Sequence, residues 1–288
     1  MSTVKDFRND VRPNWCPGCG DFSVQAALQR ALANLGRDPH EVVLISGIGC
    51  SGRISGYLNT YGFHAVHGRS LSTAQGVKLA NRDLTVIAAG GDGDGFGIGL
   101  NHFMHAVRRN MNITYIVMDN QIYGLTKGQH SPTSASGFKV KTTPHGNIEQ
   151  PLVPTKLALA AGISFLAQGF SGDVNQLVSL IEAAIQHRGF SLVNVFSPCV
   201  TYNKVNTYDW YKDRVVKVDS FSDYDSTNLS AAMKAVEDTH GLATGIIYVD
   251  KNRPPFEDLV FNYREDGLVN DDLQLVPEKF DSYIKEFA

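Results

Sequence analysis

The sequence is short of cysteine, of net basic charge and of long apolar runs, and each shortage closes off a class of function. There are four cysteines among 288 residues, and residues 1–14 are polar, with no apolar export core. A disulfide-stapled secreted fold is therefore not expected. Lys and Arg number 26 against 29 Asp and Glu, for a net charge of −3. That balance does not suit a surface built to grip a phosphate backbone, so nucleic acid is excluded as a main partner. The most apolar stretch, residues 157–167, carries Gly and Ser and is too short to span a bilayer. A cytoplasmic protein with no membrane contact is the expectation. No internal repeat or low-complexity tract is present. Nor does any Gly-x-Gly-x-x-Gly turn follow a first strand with an acidic ribose partner, which argues against a nicotinamide dinucleotide. Residues 91–97 are glycine-rich, but their spacing is wrong for it.

What is present is an alternation of strands and helices. Residues 84–90 read as a buried strand, 98–109 as a helix and 113–119 as a second buried strand. A parallel pair joined by a helix brings both strand ends to one sheet edge. Asp92, in Gly91-Asp92-Gly93, and Asn120 therefore meet at the carboxyl edge, where open α/β sheets bind ligands. A carboxylate and an amide oxygen suit Mg²⁺ with coordination sites left for diphosphate oxygens. The flanking glycines let backbone approach the phosphates.

The rest of the chain extends this pattern. Residues 21–35 form an amphipathic helix with Val24, Ala27, Leu28, Ala31, Leu32 and Leu35 on one stripe, Asp21 as N-cap and Gly36 just past the end. A strand over 41–46 opens into a glycine-rich turn, 47–52. Helices are expected over 70–80, 154–161 and 174–187, and strands over 163–167 and 191–196. The loop 121–144 is too long to be idle. Five strands with intervening helices make a doubly wound, mostly parallel α/β domain over residues 1–200. Beyond it, residues 201–288 read as an irregular C-terminal extension packing on the domain or on a partner. It contains a helix at 229–239, a strand-like run at 244–249, and aromatics such as Trp210 that suit core or interface.

Cys16-Pro17-Gly18-Cys19 looks like half of a zinc ribbon, but the other cysteines, Cys50 and Cys199, are single and follow two different strands. All four converge on the edge that carries Asp92. The residues leave three readings open: a [4Fe–4S] cluster, one zinc, or plain core cysteines.

The spacing from Gly91-Asp92-Gly93 to Asn120, about 26 residues, resembles the thiamine diphosphate-binding motif. Over nearly its first 200 residues the chain resembles the β subunits of 2-oxoacid:ferredoxin oxidoreductases. The matching stretches are residues 15–21, 47–51, 61–69, 91–95, 118–129 and 197–199. The resemblance implies a thiamine diphosphate-binding fold with Cys16, Cys19, Cys50 and Cys199 around one [4Fe–4S] cluster. It also implies that Asp92, Asn120 and the backbone carbonyl of Ile122 hold Mg²⁺, and that Ile48, Gly49, Cys50, Ser51, His67, Gly93, Asp94, Gly124 and Leu125 contact thiamine diphosphate. The implied activity is CoA-dependent oxidative decarboxylation of a 2-oxoacid to acyl-CoA and CO₂, with electrons passing through the cluster to ferredoxin. In this family the glutamate that activates thiamine comes from a partner α subunit. No second domain of that kind is found here, so the chain is expected to be inactive alone.

Arg53, Leu125 and Lys127 are the candidate substrate residues. An arginine beside the cofactor suits a distal carboxylate, and Leu125 suits pyruvate or branched substrates. A broad 2-oxoacid range is expected, with strict 2-oxoglutarate specificity as the alternative. The competing functions are a non-redox thiamine diphosphate-dependent decarboxylase subunit and a zinc-bearing binding protein.

Overall fold

The computed structural model describes residues 2–260, 268–270, 272, 274 and 276–287. Alternating side chains decide its architecture. On β1 (Val42–Ser46) Val42 and Leu44 face one hydrophobic layer, while Val43 and Ile45 face the other. β2 (Tyr61–His64) is an exposed edge strand. β3 (Thr85–Gly91) repeats the alternation, with Ile87 and Ala89 against Val86 and Ala88. β4 (Ile113–Asp119), β5 (Phe165–Phe170) and β6 (Phe190–Phe196) are buried throughout. Strands buried on both faces need helices on both faces. α1 (Asp21–Asn34) covers one side. α2 (Ser70–Ala80), α3 (Leu100–Arg109) and α4 (Pro154–Ala160) cover the other, and α5 (Val174–Gln186) joins α1.

With β7 (Val216–Lys217) and β8 (Ala243–Val249) the sheet has, among the described residues, eight strands in the order β2-β1-β3-β4-β6-β5-β8-β7. All pairs are parallel except β5 with β8. From β1 the chain steps outward to β2 and then back across to β3. The strand order thus reverses between β1 and β3, and the crevice at their carboxyl ends is where such sheets bind ligands.

Several sequence expectations hold to the residue, including α2 and β4. Others shift. The helix of residues 98–109 begins at Leu100, because Gly93–Ile98 forms a wider, π-type turn. Five strands become eight. β8, in the extension, pairs with β5 and so continues the sheet beyond residue 200. A helix follows β6 at Tyr208–Lys212, with Trp210 half-buried against Tyr211. Part of the extension, residues 261–267 among them, lies outside the described residues. Gly36 ends α1 at φ +64°, as expected. Asp21 does not cap it; Gly20 holds that position, and the Asp21 carboxylate is buried, accepting from the Ser197 hydroxyl at 2.7 Å.

Candidate functional site

A cleft of about 100 Å³ opens at the carboxyl ends of β1, β3 and β4. The turn after β1 brings Ile48, Gly49, Cys50 and Ser51 to it, and the turn after β3 brings Asp92, Gly93 and Asp94. The loop after β4 contributes Asn120, Ile122, Gly124 and Leu125, and His67 enters from the loop after β2. All the residues expected at Mg²⁺ or thiamine diphosphate line this one cavity. Tyr123 and Thr126, which sequence reasoning did not single out, line it as well. Tyr123 donates its hydroxyl to the Gly93 carbonyl at 3.1 Å. A Cβ on Gly93 would lie 2.2 Å from the Tyr123 ring, so only glycine allows that contact.

Asp92 is 1% exposed, and its Oδ2 lies 2.6 Å from the Thr133 hydroxyl. The same hydroxyl is 3.0 Å from Oδ1 of Asp119, which is also buried. Two buried carboxyls this close do not both ionise. Burial and the neighbouring Asp92 push the Asp119 carboxyl up to about 8. The Thr133 hydroxyl sits between the two carboxyls, within hydrogen-bond distance of both. This contact fixes one oxygen of Asp92, a residue that lines the cleft. Thr133 arrives on the long loop after β4, which is pinned by the Ser134 hydroxyl donating to the Gln121 carbonyl at 2.6 Å. Asn203, four residues past Cys199, donates to the Asn120 carbonyl at 3.0 Å. Both metal-ligand candidates are thus held from behind. Thr133→Val should weaken Mg²⁺ binding by about 10–100-fold while Thr133→Ser restores it, as a Mg²⁺ titration followed by tryptophan fluorescence would show.

Asp94 lines the cleft and also ties neighbouring loops together. Its Oδ1 accepts from the N–H groups of Ile48 at 2.9 Å and Gly68 at 2.7 Å, and lies 2.7 Å from His67 Nδ1. The carboxylate is buried, and a Cβ on Gly47 would sit 1.8 Å from its Oδ2. Asp94 thus knots three loops together through one oxygen. Since Nδ1 of His67 is taken by Asp94, Nε2 is the ring atom available to a ligand.

The cysteine loops adjoin this cleft. Cys16 and Cys19 flank a Pro17-Gly18 turn closed by the Cys19 N–H to the Cys16 carbonyl at 2.9 Å, with Gly18 at φ +84° as a type II turn requires. Gly20 N–H donates to the Pro198 carbonyl at 3.3 Å, and Trp15 Nε1 donates to the Cys50 carbonyl at 2.7 Å. A Cβ on Gly124 would lie 3.5 Å from Cys199 Sγ and 3.8 Å from Cys50 Sγ. The cofactor loop thus rests on two of the sulfurs. Cys16 is exposed and the other three are half-buried, with Cys19 and Cys50 against the edge of the core. Burial, reinforced by Asp21 and by the Cys199 and Cys16 thiols, pushes the Cys50 thiol up to about 11. Burial and Asp21 push Cys19 up further, with Cys199 and Cys50 adding to it. Cys19 and Cys50 in such surroundings become thiolates only beside a cationic centre. Among the described residues no three Cys, His, Asp or Glu side chains close around a single ion position.

Arg53 and Leu125 line a second, wider cleft of about 570 Å³ that shares Ile48 and Gly49 with the first. Lys127 lines neither of these clefts; it is exposed, at φ +75° in the turn beyond Gly124. No described helix is long and apolar enough to cross a membrane.

Known proteins share this arrangement. Residues 23–195 match the C-terminal TPP-binding domain of thiamine pyrophosphate enzymes, and residues 199–265 match the C-terminal part of the pyruvate ferredoxin oxidoreductase β subunit. The chain is 41% identical over 265 residues to 2-oxoacid:ferredoxin oxidoreductase 1, subunit beta, of Aeropyrum pernix, covering 88% of this chain and 83% of that one. It is 48% identical over 227 residues to the 2-oxoacid:ferredoxin oxidoreductase subunit beta of Saccharolobus solfataricus, covering 78% and 73%. The solved structure of 2-oxoglutarate:ferredoxin oxidoreductase from Magnetococcus marinus, with 2-oxoglutarate, coenzyme A and succinyl-CoA bound, matches 100% of this chain and 96% of that one at 40% identity and a TM-score of 0.89. The chain belongs to the β subunits of the 2-oxoacid:ferredoxin oxidoreductases.

Proposed function

We propose that this chain, joined to an α subunit, binds thiamine diphosphate through Mg²⁺ and one [4Fe–4S] cluster, and that the complex converts 2-oxoacids and CoA to acyl-CoA and CO₂. The family's acceptor, ferredoxin, takes the electrons. The observation that carries this reading is the single cleft lined by Asp92, Asn120 and the Cys50 turn, with the sulfurs of Cys50 and Cys199 directly behind Gly124. Thiamine diphosphate supplies an electron sink for decarboxylation and the cluster a one-electron relay.

On this reading each protein group has a task. Asp92, the Asn120 side chain and the Ile122 carbonyl hold the metal, and Thr133 keeps Asp92 oriented. His67 Nε2 and the backbone of Gly93 and Asp94 meet the diphosphate. Ile48, Gly49, Ser51, Gly124 and Leu125 close around the rest of the cofactor and exclude water from it. Cys16, Cys19, Cys50 and Cys199 ligate the cluster. Residues 1–200 carry these ligands; residues 201–207 back the cysteine side, and the extension beyond them meets the α subunit. Four cysteines used as ligands, with no disulfide, suit the reducing cytoplasm. Co-expression with the α subunit under anaerobic conditions, then a CoA-dependent viologen-reduction screen over several 2-oxoacids, tests the reading. Dye reduction is expected. Aldehyde release without dye reduction would instead identify a non-redox decarboxylase.

Arg53 carries the substrate proposal. Its place in the wider cleft, beside the apolar Leu125, lets a guanidinium meet a distal carboxylate while one wall stays apolar. That combination accepts both 2-oxoglutarate and pyruvate. Arg53→Ala should lower kcat/KM for 2-oxoglutarate relative to pyruvate by about 10–100-fold, the worth of a charge-assisted pair. An unchanged ratio would remove Arg53 from substrate selection.

A further inference from the structure

We infer that a small acidic iron–sulfur carrier docks on the surface formed by residues 16–18 and 200–205, directly over the cysteine loops, an inference that rests on the cluster assignment above. Cys16, Pro17 and Gly18 are exposed, so the cluster's nearest approach to solvent is on this side. Gly18 packs on Val200, where an added Cβ would lie 3.7 Å from Cγ1. Gly128 packs on Tyr202 in the same way, at 3.4 Å. Residues 200–205 therefore bridge the cysteine turn and the loop after β4. Tyr202 and Val205 are 38% and 52% exposed there, which makes a small apolar patch.

Charge decides which partner fits. The loops that carry the cysteines (residues 14–20, 47–54 and 197–207) and the loop 120–129 contain Arg53, Lys127 and Lys204 and no carboxylate. This cationic set stands out in a chain where 29 acidic residues exceed 26 basic ones. Arg53 faces the substrate cleft. Lys127 and Lys204 are exposed on the loops that flank the apolar patch, and the Lys204 ammonium donates to the Val200 carbonyl beneath it. A nearby groove of about 720 Å³ at Phe170 and Tyr208 is the competing surface. It mixes Asp173 and Asp209 with Lys212 and Lys217, and Lys217 is already paired with Asp173 at 2.8 Å, so it offers no net charge to an acidic partner.

Small area and one sign of charge are also what turnover demands. Oxidising one 2-oxoacid with CoA gives acyl-CoA, CO₂, one proton and two electrons. A one-electron carrier removes one of those electrons per visit, so two oxidised carriers must arrive and two reduced ones leave in each cycle. Electrostatic steering speeds arrival, and a small apolar contact permits departure.

The test uses the assembled α/β holoenzyme with purified ferredoxin and, separately, methyl viologen as acceptors. Lys204→Glu and Val205→Glu should each raise the ferredoxin KM, and the ferredoxin Kd from direct titration, by about tenfold at low salt. High salt should narrow that gap, and Val205→Lys should not weaken binding. Iron content and the viologen rate should stay unchanged in all three. Val205 makes no side-chain bond, so it reports even if Lys204→Glu disturbs its own loop. Unchanged ferredoxin Kd and KM in both glutamate variants, or ferredoxin and viologen rates falling together, would overturn the docking surface. Absence of any CoA-dependent viologen reduction in the unmutated holoenzyme would instead overturn the enzymatic reading.

Discussion

Asp92→Ala abolishes tight thiamine diphosphate binding in the presence of Mg²⁺, with a loss of at least ~100-fold in affinity, or about 3 kcal/mol. Asp92 is the one ionisable side chain among the Mg²⁺ ligands proposed for this cleft. Asn120 and the Ile122 carbonyl are neutral and cannot offset two positive charges. The fold should tolerate the change. Burial raises the Asp92 carboxyl above its ordinary range, and Asp119 behind it is raised as well. Removing a carboxyl that burial penalises relieves that desolvation cost in the cofactor-free state. The cofactor-free complex should therefore melt no lower than the unmutated one, while the rise in Tm on adding Mg²⁺ and thiamine diphosphate should vanish. Calorimetric titration and a melt with and without cofactor check both halves. Retained tight binding would mean that the diphosphate is anchored elsewhere.

Cys199→Ser removes the broad brown absorbance of the anaerobically purified complex and abolishes reduction of both ferredoxin and viologen. Cys199 does not line the thiamine cleft, so this change separates the two cofactors. Thiamine diphosphate should still bind, and CO₂ release from the 2-oxoacid in a single turnover should persist. A serine hydroxyl replaces the sulfur without loss of packing, but it gives up its proton far less readily than a thiol does. Iron analysis alongside the single-turnover assay is the check. Full iron content in the variant would exclude Cys199 from the ligand set.

The parts legible in the sequence were those whose physics is local. α2 and β4 are uninterrupted periodic or β-branched runs, and their ends fall where expected. The glycine turns after β1 and β3 announce a backbone that must come close to something. Where the reading slipped, a distant partner was responsible. β5 extends to Phe170, past the expected end at 167, because the polar Gln168 is buried by donating to the carbonyls of Gly241 and Ala243 at 2.8 and 2.7 Å. Those acceptors lie far along the chain. β2 was missed because it is short, exposed and paired on one side only, so no burial pattern marks it. Asp21 has the look of an N-cap, but Ser197 claims its carboxylate. The three loops that Asp94 ties together are equally invisible in the sequence, because Ile48, His67 and Gly68 lie far from it along the chain. Thr133 left no signal at all. It is one hydroxyl in an aperiodic loop, and only the folded path of residues 120–153 sets it between Asp92 and Asp119.

The central claim is that one rim of this chain holds both a metal-anchored thiamine diphosphate and a cluster. Quantifying iron, acid-labile sulfide, zinc and thiamine per β chain in the anaerobically purified α/β complex tests it most directly. The account predicts about four iron, about four sulfide and about one thiamine, without stoichiometric zinc. One zinc with neither iron nor thiamine would contradict it.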